Sequence, residues 1–476
     1  MGHGCSLYAL IKTLLKDEKL AFPGNASAYI PVSYTHLIWN KLILFALPLA
    51  ASSILQQLFN AADVAVVGSF AGSGALAAVG ANGPIINLLV NSFVGLSVGA
   101  NVVIASFIGQ NDEKRTSLAA HTSVTMSVII GIVLLFVGFF FARPILELMS
   151  TPEDIINLAE IYLKIYFLGV PFVMLYNFAA AILRSKGDTQ RPLIALFIGG
   201  VINVILNLFF VVVLHMSVEG VAIGTVISNV FSSMMLLYWL MHETDALRID
   251  LKQLKINDRI LKRIAKIGVP AGLQGMVFSI SNVCIQSSLN ALGSDAIAAS
   301  SAALNYEYFA YYILSSFAQA AVTFIGQNYS AKKYDRCKKI TLQSFLLGGA
   351  TTMVACMLFV IFDHFFISFF TSDVSVASLA YTRMKIILPF QFLNMSIEVF
   401  SSVMRGVGYS SVPAGICVAG ICGVRLAYLY TIYPSIASYD NLLIIYPISW
   451  FVTVVALALV YFIHVRPKVY AHQAAN

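Results

Sequence analysis

Residues 42–68 read LILFALPLAASSILQQLFNAADVAVVG, an apolar run interrupted by the carboxylate of Asp63. About 20 apolar residues in a helix suffice to cross the hydrocarbon core of a bilayer. A carboxylate inside such a helix costs several kcal/mol, so it usually faces a cavity and takes part in function. The stretch therefore predicts a membrane-spanning helix built around a functional acid.

The rest of the chain repeats this apolar pattern. Of the 476 residues, 59% are hydrophobic and 11% are charged, whereas soluble domains have roughly 25% charged residues. Twelve apolar runs with short polar gaps are too long for barrel strands, so they predict an all-α membrane protein with twelve transmembrane helices. The runs lie roughly at 42–68, 76–108, 118–142, 155–183, 193–214, 218–241, 267–291, 296–326, 340–369, 376–403, 412–433 and 441–464. The second and eighth exceed the length that a bilayer requires.

Positive charge is distributed unevenly between the two ends of these runs. The net charge is +7, and most Lys and Arg residues follow the even-numbered runs. The opposite ends carry Arg143 and three basic residues near the starts of runs, namely Lys164, Arg383 and Lys385. Cytoplasmic loops of membrane proteins are enriched in Lys and Arg, so both termini are expected on the cytoplasmic side of the membrane. The membrane itself is expected to be a bacterial plasma (inner) membrane. The same pattern argues against a nucleic-acid-binding patch.

The two halves of the chain match each other at an offset of about 220 residues. Ala-Leu-Pro48 matches Gly-Val-Pro270, and the loop Ile-Gly-Gln-Asn111 matches Ile-Gly-Gln-Asn328. Each half has six runs, so both halves enter the membrane with the same orientation. We therefore expect two six-helix bundles related by a pseudo-twofold axis along the membrane normal, as in many transporters.

This repeat divides the chain into five parts. We expect residues 1–39 to form a cytoplasmic tail. Residues 1–37 are either a genuine part of this tail or a stretch that does not belong to the natural protein. Residues 40–242 and 267–465 form the two six-helix repeats, 243–266 form a cytoplasmic linker, and 466–476 form a second cytoplasmic tail. The six cysteines are expected to form no disulfide, and no Cys/His spacing typical of a metal site occurs.

Over about residues 40–465 the chain resembles the multidrug and toxic compound extrusion (MATE) family. The resemblance rests on the Pro48 to Asp63 spacing, the two Gly-Gln-Asn loops, Leu-Arg-x-x-Gly-Asp-x-x-x-Pro at 183–192, and Asn203-x-x-x-Asn207 followed by Gly-Val-Ala-Ile-Gly-Thr at 220–225. The detail is closer to the DinF-type bacterial branch than to the NorM type. The resemblance implies a monomeric secondary active antiporter that exports amphipathic, often cationic, compounds in exchange for H⁺ or Na⁺, with no other cofactor.

Several polar residues lie inside the first six runs. Gln56, Asn60 and Asp63 are spaced i, i+4 and i+7, which places them on one helical face. Asn203 and Asn207 lie one turn apart on the fifth run, and each offers a carbonyl oxygen to a cation. The alternative interpretation is a polar stripe whose hydrogen bonds only hold helices together.

Asp63, Asn203, Asn207 and Thr225 form a candidate coupling site. Carboxylate, carbonyl and hydroxyl oxygens are hard ligands that suit a small cation such as Na⁺. Because burial disfavours the charged form of a carboxyl group, the same set could instead surround a protonatable Asp63. In the MATE resemblance these four positions match the cation and proton site of the amino-terminal lobe. Many relatives carry Asp where this chain has Asn207, so Na⁺ coordination is less secure than proton binding.

The second half does not repeat the acid. Counting from the prolines, Asn60 matches Asn282, but Asp63 matches Ile285, and Arg425 lies where the first half has its two asparagines. Glu307 and Glu398 are the buried acids of this half. Each could attract a cationic drug, or it could pair with Arg425, which reads as the one deeply buried arginine.

The sequence also predicts a helix-bending residue and a set of residues for the substrate cavity. Pro48 can bend the first helix, because it removes a backbone donor and crowds the preceding turn. The candidates for the substrate cavity are Gln56, Asn60, Asn177, Asn282, Glu307, Asn394, Glu398 and Arg425. Aromatic residues crowd the eighth run between Tyr306 and Tyr312 and could bind organic cations, although such residues are also common at lipid-facing positions.

Three other functions fit the sequence less well. A flippase for a lipid-linked precursor would want a cationic lumen, for which Arg425 is available, but it would commonly have additional spans. A channel would not need the doubled loops. An enzyme is least expected, because the sequence has no Walker motif, nucleophile elbow or HExxH motif.

Overall fold

The computed structural model describes residues 38–149, 151–371 and 373–467, so the predicted tail at 1–37 and most of the tail after 466 lie outside it. Within these ranges the chain consists of helices and connecting loops. Its α-helices are α1 (Ile38–Val66), α2 (Ser73–Gly109), α3 (Glu113–Leu148), α4 (Glu153–Ser185), α5 (Gln190–Leu208), α6 (Val218–Met241), α7 (Asp258–Asn290), α8 (Ser294–Ser330), α9 (Tyr334–Ile361), α10 (Asp363–Ile367), α11 (Val374–Ile387), α12 (Gln391–Gly406), α13 (Ser411–Cys417), α14 (Val424–Thr431) and α15 (Tyr439–Val460).

Twelve helical stretches of the described chain are long and apolar enough to cross a membrane, which confirms the predicted fold class. They form two six-span bundles, with α1–α6 in the first and α7–α15 in the second. The second and eighth spans, α2 and α8, each have 37 residues. At 1.5 Å per residue each is about 55 Å long, well beyond the hydrocarbon thickness of about 30 Å.

Several spans differ from the sequence prediction, and two of the differences have a clear physical reason. Helix α7 begins at Asp258 rather than at 267, with the Asn257 side chain accepting a hydrogen bond from the Ile260 N–H at 3.2 Å. A hydropathy profile ends a span where charge begins, but this helix continues through its basic residues into the predicted linker. The tenth span is two helices, α11 and α12, because Pro389 falls in the 3₁₀ turn between them and cannot donate a backbone hydrogen bond.

Several spans contain a π-helical turn. The turns are Val67–Ala71, Phe209–Val213, Val418–Gly423 and Tyr461–Val465. The second of these follows Asn207 by two residues, and the third ends two residues before Arg425. Single π-helical turns inside α-helical spans are frequent at functional sites. Asn207 and Arg425 therefore each lie beside a π-helical turn.

Helix α1 packs against both bundles. Ile38, Leu42 and Phe45 belong to the hydrophobic core of the second bundle, where the Phe45 and Phe324 rings lie 5.1 Å apart. Towards its other end, α1 contributes Val66 to a core of the first bundle. Pro48 lies within the helix, close to the transition between these two packing environments.

The two bundles are joined at the end where α2 finishes and α7 begins. The Thr323 hydroxyl donates to Asn101 Oδ1 at 3.1 Å, and Ser106 accepts hydrogen bonds from Ser330 at 2.7 Å and Arg263 at 2.8 Å. This end carries the basic loops of the chain, and we call it the basic end. The linker is held here too, since Glu243 pairs with Lys186 at 2.8 Å.

Helices α2 and α7 cross with their backbones in direct contact. A Cβ atom added at Gly272 would overlap the Ser92 carbonyl oxygen, and one added at Gly95 would overlap the Gly272 backbone. By contrast, a Cβ at Gly275, on the same helix α7, would meet nothing within 4 Å. The crossing therefore depends on glycine at 95 and 272 but not at 275.

We expect Gly272→Ala to loosen this crossing. Overpacking of a close contact costs about 1–3 kcal/mol, so the apparent Tm of the purified protein in detergent should fall by several degrees. Gly275→Ala is the matched control and should leave Tm nearly unchanged. Equal Tm values for the two variants would contradict the assigned backbone contact.

Candidate ion and substrate site

The four predicted coupling residues lie together where α1, α5 and α6 meet. The Asn207 Nδ2 donates to Asp63 Oδ1 at 2.5 Å and also reaches Asn203 Oδ1 at 3.4 Å. The Asn203 Nδ2 donates to the Thr225 hydroxyl at 3.3 Å, and that hydroxyl donates to the Val221 carbonyl at 2.9 Å. One continuous polar network thus connects three spans inside the first bundle.

This network contains one acid and lacks a compensating base. Among the described residues, no Lys, Arg or His lies within 4.0 Å of the Asp63 carboxylate. Asn207 is fully buried, and its Oδ1 has no hydrogen-bond partner. A buried acceptor without a partner is unfavourable. The cluster therefore has more acceptors than donors and can be completed by a proton or a small cation.

Gly224 on α6 shapes this cluster although the sequence reasoning did not single it out as a site residue. A Cβ atom added at Gly224 would overlap Asn207 Oδ1. The absence of a side chain at 224 therefore leaves the space that the Asn207 amide occupies while it holds Asp63.

Two tyrosines of α4 were also missed. The Tyr162 and Tyr166 rings stack with centroids 6.3 Å apart, and both side chains lie close enough to Asp63 to interact with its charge. Their i, i+4 spacing could have indicated a shared face. However, aromatic residues are so common in membrane helices that spacing alone does not distinguish a site from packing.

The other two polar residues of α1 are exposed. Gln56 and Asn60 are accessible, while the neighbouring Gln57 accepts a hydrogen bond from Tyr312 of the second bundle at 3.1 Å. Exposed amides on a spanning helix usually face a water-filled space and not lipid. Tyr312 also shows that part of the aromatic face of α8 contacts the opposite bundle.

Glu307 pairs with Arg383 and not with Arg425. Arg383 donates to it from Nε at 2.6 Å and from Nη2 at 3.2 Å, and its Nη1 donates to the Ser300 hydroxyl at 3.3 Å. Pairing of Glu307 with Arg425 is therefore wrong. So is the view that Arg425 is the one deeply buried arginine, because Arg383 is 2% exposed. Helix α11 begins at Val374, so Arg383 lies more than two turns inside it.

Glu398 does not pair with Arg425 either. Its carboxylate interacts electrostatically with Arg405 and Tyr311. Arg405 itself donates to Gln274 Oε1 at 2.7 Å. Glu398 is thus an acid at the face of the second bundle where Tyr311 of α8 is exposed.

The remaining cavity candidates in α4 and α12 bond locally. The Asn177 Nδ2 donates to the Val173 carbonyl of its own helix at 2.8 Å, and the Asn394 Nδ2 donates to Gln391 Oε1 at 3.1 Å. These bonds fix the two amides but assign no ligand. Their place in a substrate cavity stays a prediction.

Arg425 lies inside the second bundle between α7, α14 and α15. Its Nη1 donates to Asn282 Oδ1 at 3.1 Å and its Nε to the Ser449 hydroxyl at 3.1 Å. Its guanidinium lies over the Tyr446 ring, 4.5 Å from the centroid. Ile285, the counterpart of Asp63, is 2% exposed and leaves this bundle without an equivalent acid.

Comparison with known proteins identifies relatives over most of the chain. The MatE family model matches twice, at residues 48–209 and 270–431, which together are more than half of the sequence. The probable multidrug resistance protein YoeA of Bacillus subtilis (strain 168) is 28% identical over 404 residues, covering 83% of this chain and 87% of YoeA. The multidrug export protein MepA of Staphylococcus aureus (strain N315) is 23% identical over 395 residues, covering 83% of this chain and 85% of MepA.

Solved structures share the fold. One, described as the outward-facing conformation of a multidrug resistance MATE family transporter of the MOP superfamily, superposes with a TM-score of 0.82 at 21% identity. The match covers 92% of this chain and 97% of that structure. A MOP superfamily transporter from Pyrococcus furiosus, described as having a binding pocket of reverse polarity, gives a TM-score of 0.83 at 20% identity, over 90% and 96% of the two chains.

We expect Gly224→Ala to impair the Asp63 cluster by pushing the Asn207 amide away from the carboxylate. Loss of an outer-shell support commonly costs about 10–100-fold in activity, and a fall of this order should appear in ethidium efflux from expressing cells. Gly83→Ala is the control, because a Cβ at Gly83 meets nothing within 4 Å. Normal efflux by Gly224→Ala at equal expression would remove Asn207 from the site.

Proposed function

Since the chain belongs to the MatE family of multidrug efflux transporters, which are not enzymes, we propose that it is a secondary active antiporter. It exports amphipathic, often cationic, organic compounds by alternating access, in exchange for H⁺ or Na⁺. It lies in a bacterial plasma membrane with both termini in the cytoplasm, in keeping with the basic loops.

The observation that carries this proposal is the uncompensated charge of Asp63. Its carboxylate accepts one hydrogen bond from Asn207, and the Oδ1 of that same amide is buried without a partner. A membrane protein that alternates between two states can use such a site, because binding of a cation removes the cost of the buried charge in one state.

The amide orientation favours H⁺ over Na⁺. Asn207 and Asn203 both direct N–H groups at acceptor oxygens of the cluster, which leaves fewer oxygens for a metal ion. Sodium coordination by Asp63, Asn203, Asn207 and Thr225 would require the amides to turn. A proton on the free carboxylate oxygen of Asp63 requires no such change.

Helix α1 provides the connection from the acid to the two bundles. Its first half packs into the core of the second bundle, and its second half brings Asp63 to Asn207 in the first. Pro48 lies between these parts and gives the helix a point at which it can bend. Protonation of Asp63 weakens its charge-assisted bond to Asn207, which favours a different bend of α1 and a different separation of the bundles.

Substrate binding is assigned to the space between the bundles. The interbundle hydrogen bonds hold the bundles together at the basic end, so we infer that the space between them opens at the opposite end, towards the outside. Glu398 and the exposed Tyr311 offer a carboxylate and an aromatic face to an organic cation. Export follows when cation binding and substrate binding favour different conformations.

Asp63→Asn should abolish gradient-driven transport while the protein remains folded and inserted. Everted membrane vesicles are loaded with ethidium under an imposed pH gradient or, separately, a Na⁺ gradient. Wild type should accumulate ethidium with the pH gradient, and the variant should show at least about a tenfold lower rate, since an essential ionisable group is missing.

Glu398→Gln is the matched control, because it neutralises another buried acid in the opposite bundle. It should change the preference among substrates and retain gradient dependence. Complete loss in Glu398→Gln with an active Asp63→Asn would move the coupling site to the second bundle. A wild type that follows neither gradient would point to a lipid flippase, and accumulation only down the ethidium gradient would point to a channel.

A further inference from the structure

Among the described residues, the second bundle contains three buried arginines, Arg383, Arg405 and Arg425, and Glu307 pairs with the first of them. Glu307 makes a two-point ion pair with Arg383, and Ser300 accepts from the remaining Nη1 of that guanidinium. All three nitrogens of Arg383 are therefore occupied, and its charge is neutralised locally. This pair needs no ligand.

Arg425 is in a different situation. It is 3% exposed, and both of its hydrogen-bond acceptors, Asn282 Oδ1 and the Ser449 hydroxyl, are neutral. No carboxylate among the described residues lies within 4.0 Å of its guanidinium. A charged side chain without an ionic partner inside a spanning bundle is costly, and such residues usually mark a substrate or ion pathway.

The aromatic ring beside Arg425 cannot replace an anion. The Tyr446 ring centroid lies 4.5 Å from the Arg425 guanidinium and 5.5 Å from that of Arg383. Its π-face therefore interacts with two cations, and a cation–π contact contributes only about 0.5–2 kcal/mol. Glu307 also interacts electrostatically with Arg425, but it is already paired with Arg383, so these three side chains together carry a net positive charge.

The buried guanidinium lies one layer behind an accessible surface. Its hydrogen-bond partner Asn282 is exposed, and Gln286 and Asn290 continue the same polar stripe along α7 at four-residue intervals. Asn282 itself corresponds in the repeat to the exposed Asn60 of α1. An exposed amide stripe on a spanning helix faces water, so a ligand in the central space can approach Arg425 past Asn282.

The two bundles carry opposite charges at their polar sites, Arg425 in the second and Asp63 in the first. The two MatE matches, at residues 48–209 and 270–431, have equal length, and Arg425 lies in the part of the second that corresponds to the Asn203 and Asn207 region of the first. The first bundle thus has an acid without a base, and the second has a base without an acid of its own. An ion that completes the second site must be an anion.

We propose that Arg425 binds the anionic group of a transported amphipath, a carboxylate, sulfonate or phosphate, with Asn282 as the positioning residue. Arg suits this task because its planar N–H groups match the oxygens of such anions. The proposal rests on the proposed export function only in that the ligand is a substrate. It extends the substrate class from cations to zwitterions and acids.

The test compares rhodamine B, which carries a free carboxylate, with its ethyl ester, which does not. Binding of each dye to the purified intact protein in detergent is measured by fluorescence anisotropy. Arg425→Gln should weaken binding of the acid by about tenfold or more, as expected for loss of a buried charge pair, and leave binding of the ester nearly unchanged. Arg425→Lys should retain part of the preference. Equal effects on acid and ester, or no effect on either, would overturn the proposal.

Two further measurements separate this test from other causes. Asp63→Asn should keep the preference for the acid even if gradient-driven transport is lost, so failure of the proposed function and failure of this inference are distinguishable. If Arg425→Gln does not fold, inorganic sulfate should displace the acid but not the ester from wild type. Displacement of both dyes or of neither would contradict the proposal. Displacement of the acid by phosphatidylglycerol but not by sulfate would assign the position to a lipid headgroup and overturn it.

Discussion

The structure depends on one electrostatic constraint, the presence of an uncompensated carboxylate within a membrane-spanning helix. Asp63 accepts a hydrogen bond from the amide of Asn207, and the space for this amide exists because position 224 is glycine. Asn207 Oδ1 is buried without a hydrogen-bond partner. In the proposed mechanism, a cation that binds beside Asp63 compensates its charge and thereby acts on the first bundle.

The bundles share an architecture but differ in charge. The repeat preserves the prolines and the Gly-Gln-Asn loops, whereas Asp63 becomes Ile285, and Arg425 lies in the region that corresponds to the two asparagines, Asn203 and Asn207. The first bundle thereby has a site that lacks a positive charge, and the second has one that lacks a negative charge. Helix α1 joins them mechanically, since Phe45 packs on Phe324 of the second bundle while Asp63 is held in the first. A change at the acid can therefore alter the relation between the bundles.

Hydropathy and repeat spacing predicted the twelve spans and the polar residues that could form a coupling site. The structure places Asp63, Asn203, Asn207 and Thr225 in one network, because helical periodicity fixes which side chains share a face. Periodicity does not determine which helices are neighbours, so the pairing of Glu307 with Arg383 was not predicted. Nor was the place of Tyr162 and Tyr166 beside Asp63. The predicted helix ends are wrong where a helix continues through charged residues, as α7 does from Asp258, and where Pro389 divides a span.

The central claim is that the ionisation of Asp63 sets the arrangement of the two bundles. Leu148 and Val374 are 86% and 83% exposed at the end opposite the basic loops, one in each bundle, and suit spin labels after replacement by cysteine in a background without native cysteines. Their separation should be measured by pulsed electron paramagnetic resonance at acidic and alkaline pH. The account predicts that the distance distribution changes with pH in the otherwise wild-type protein and is independent of pH in Asp63→Asn. A pH-dependent shift that persists in Asp63→Asn, or none in either protein, would contradict it.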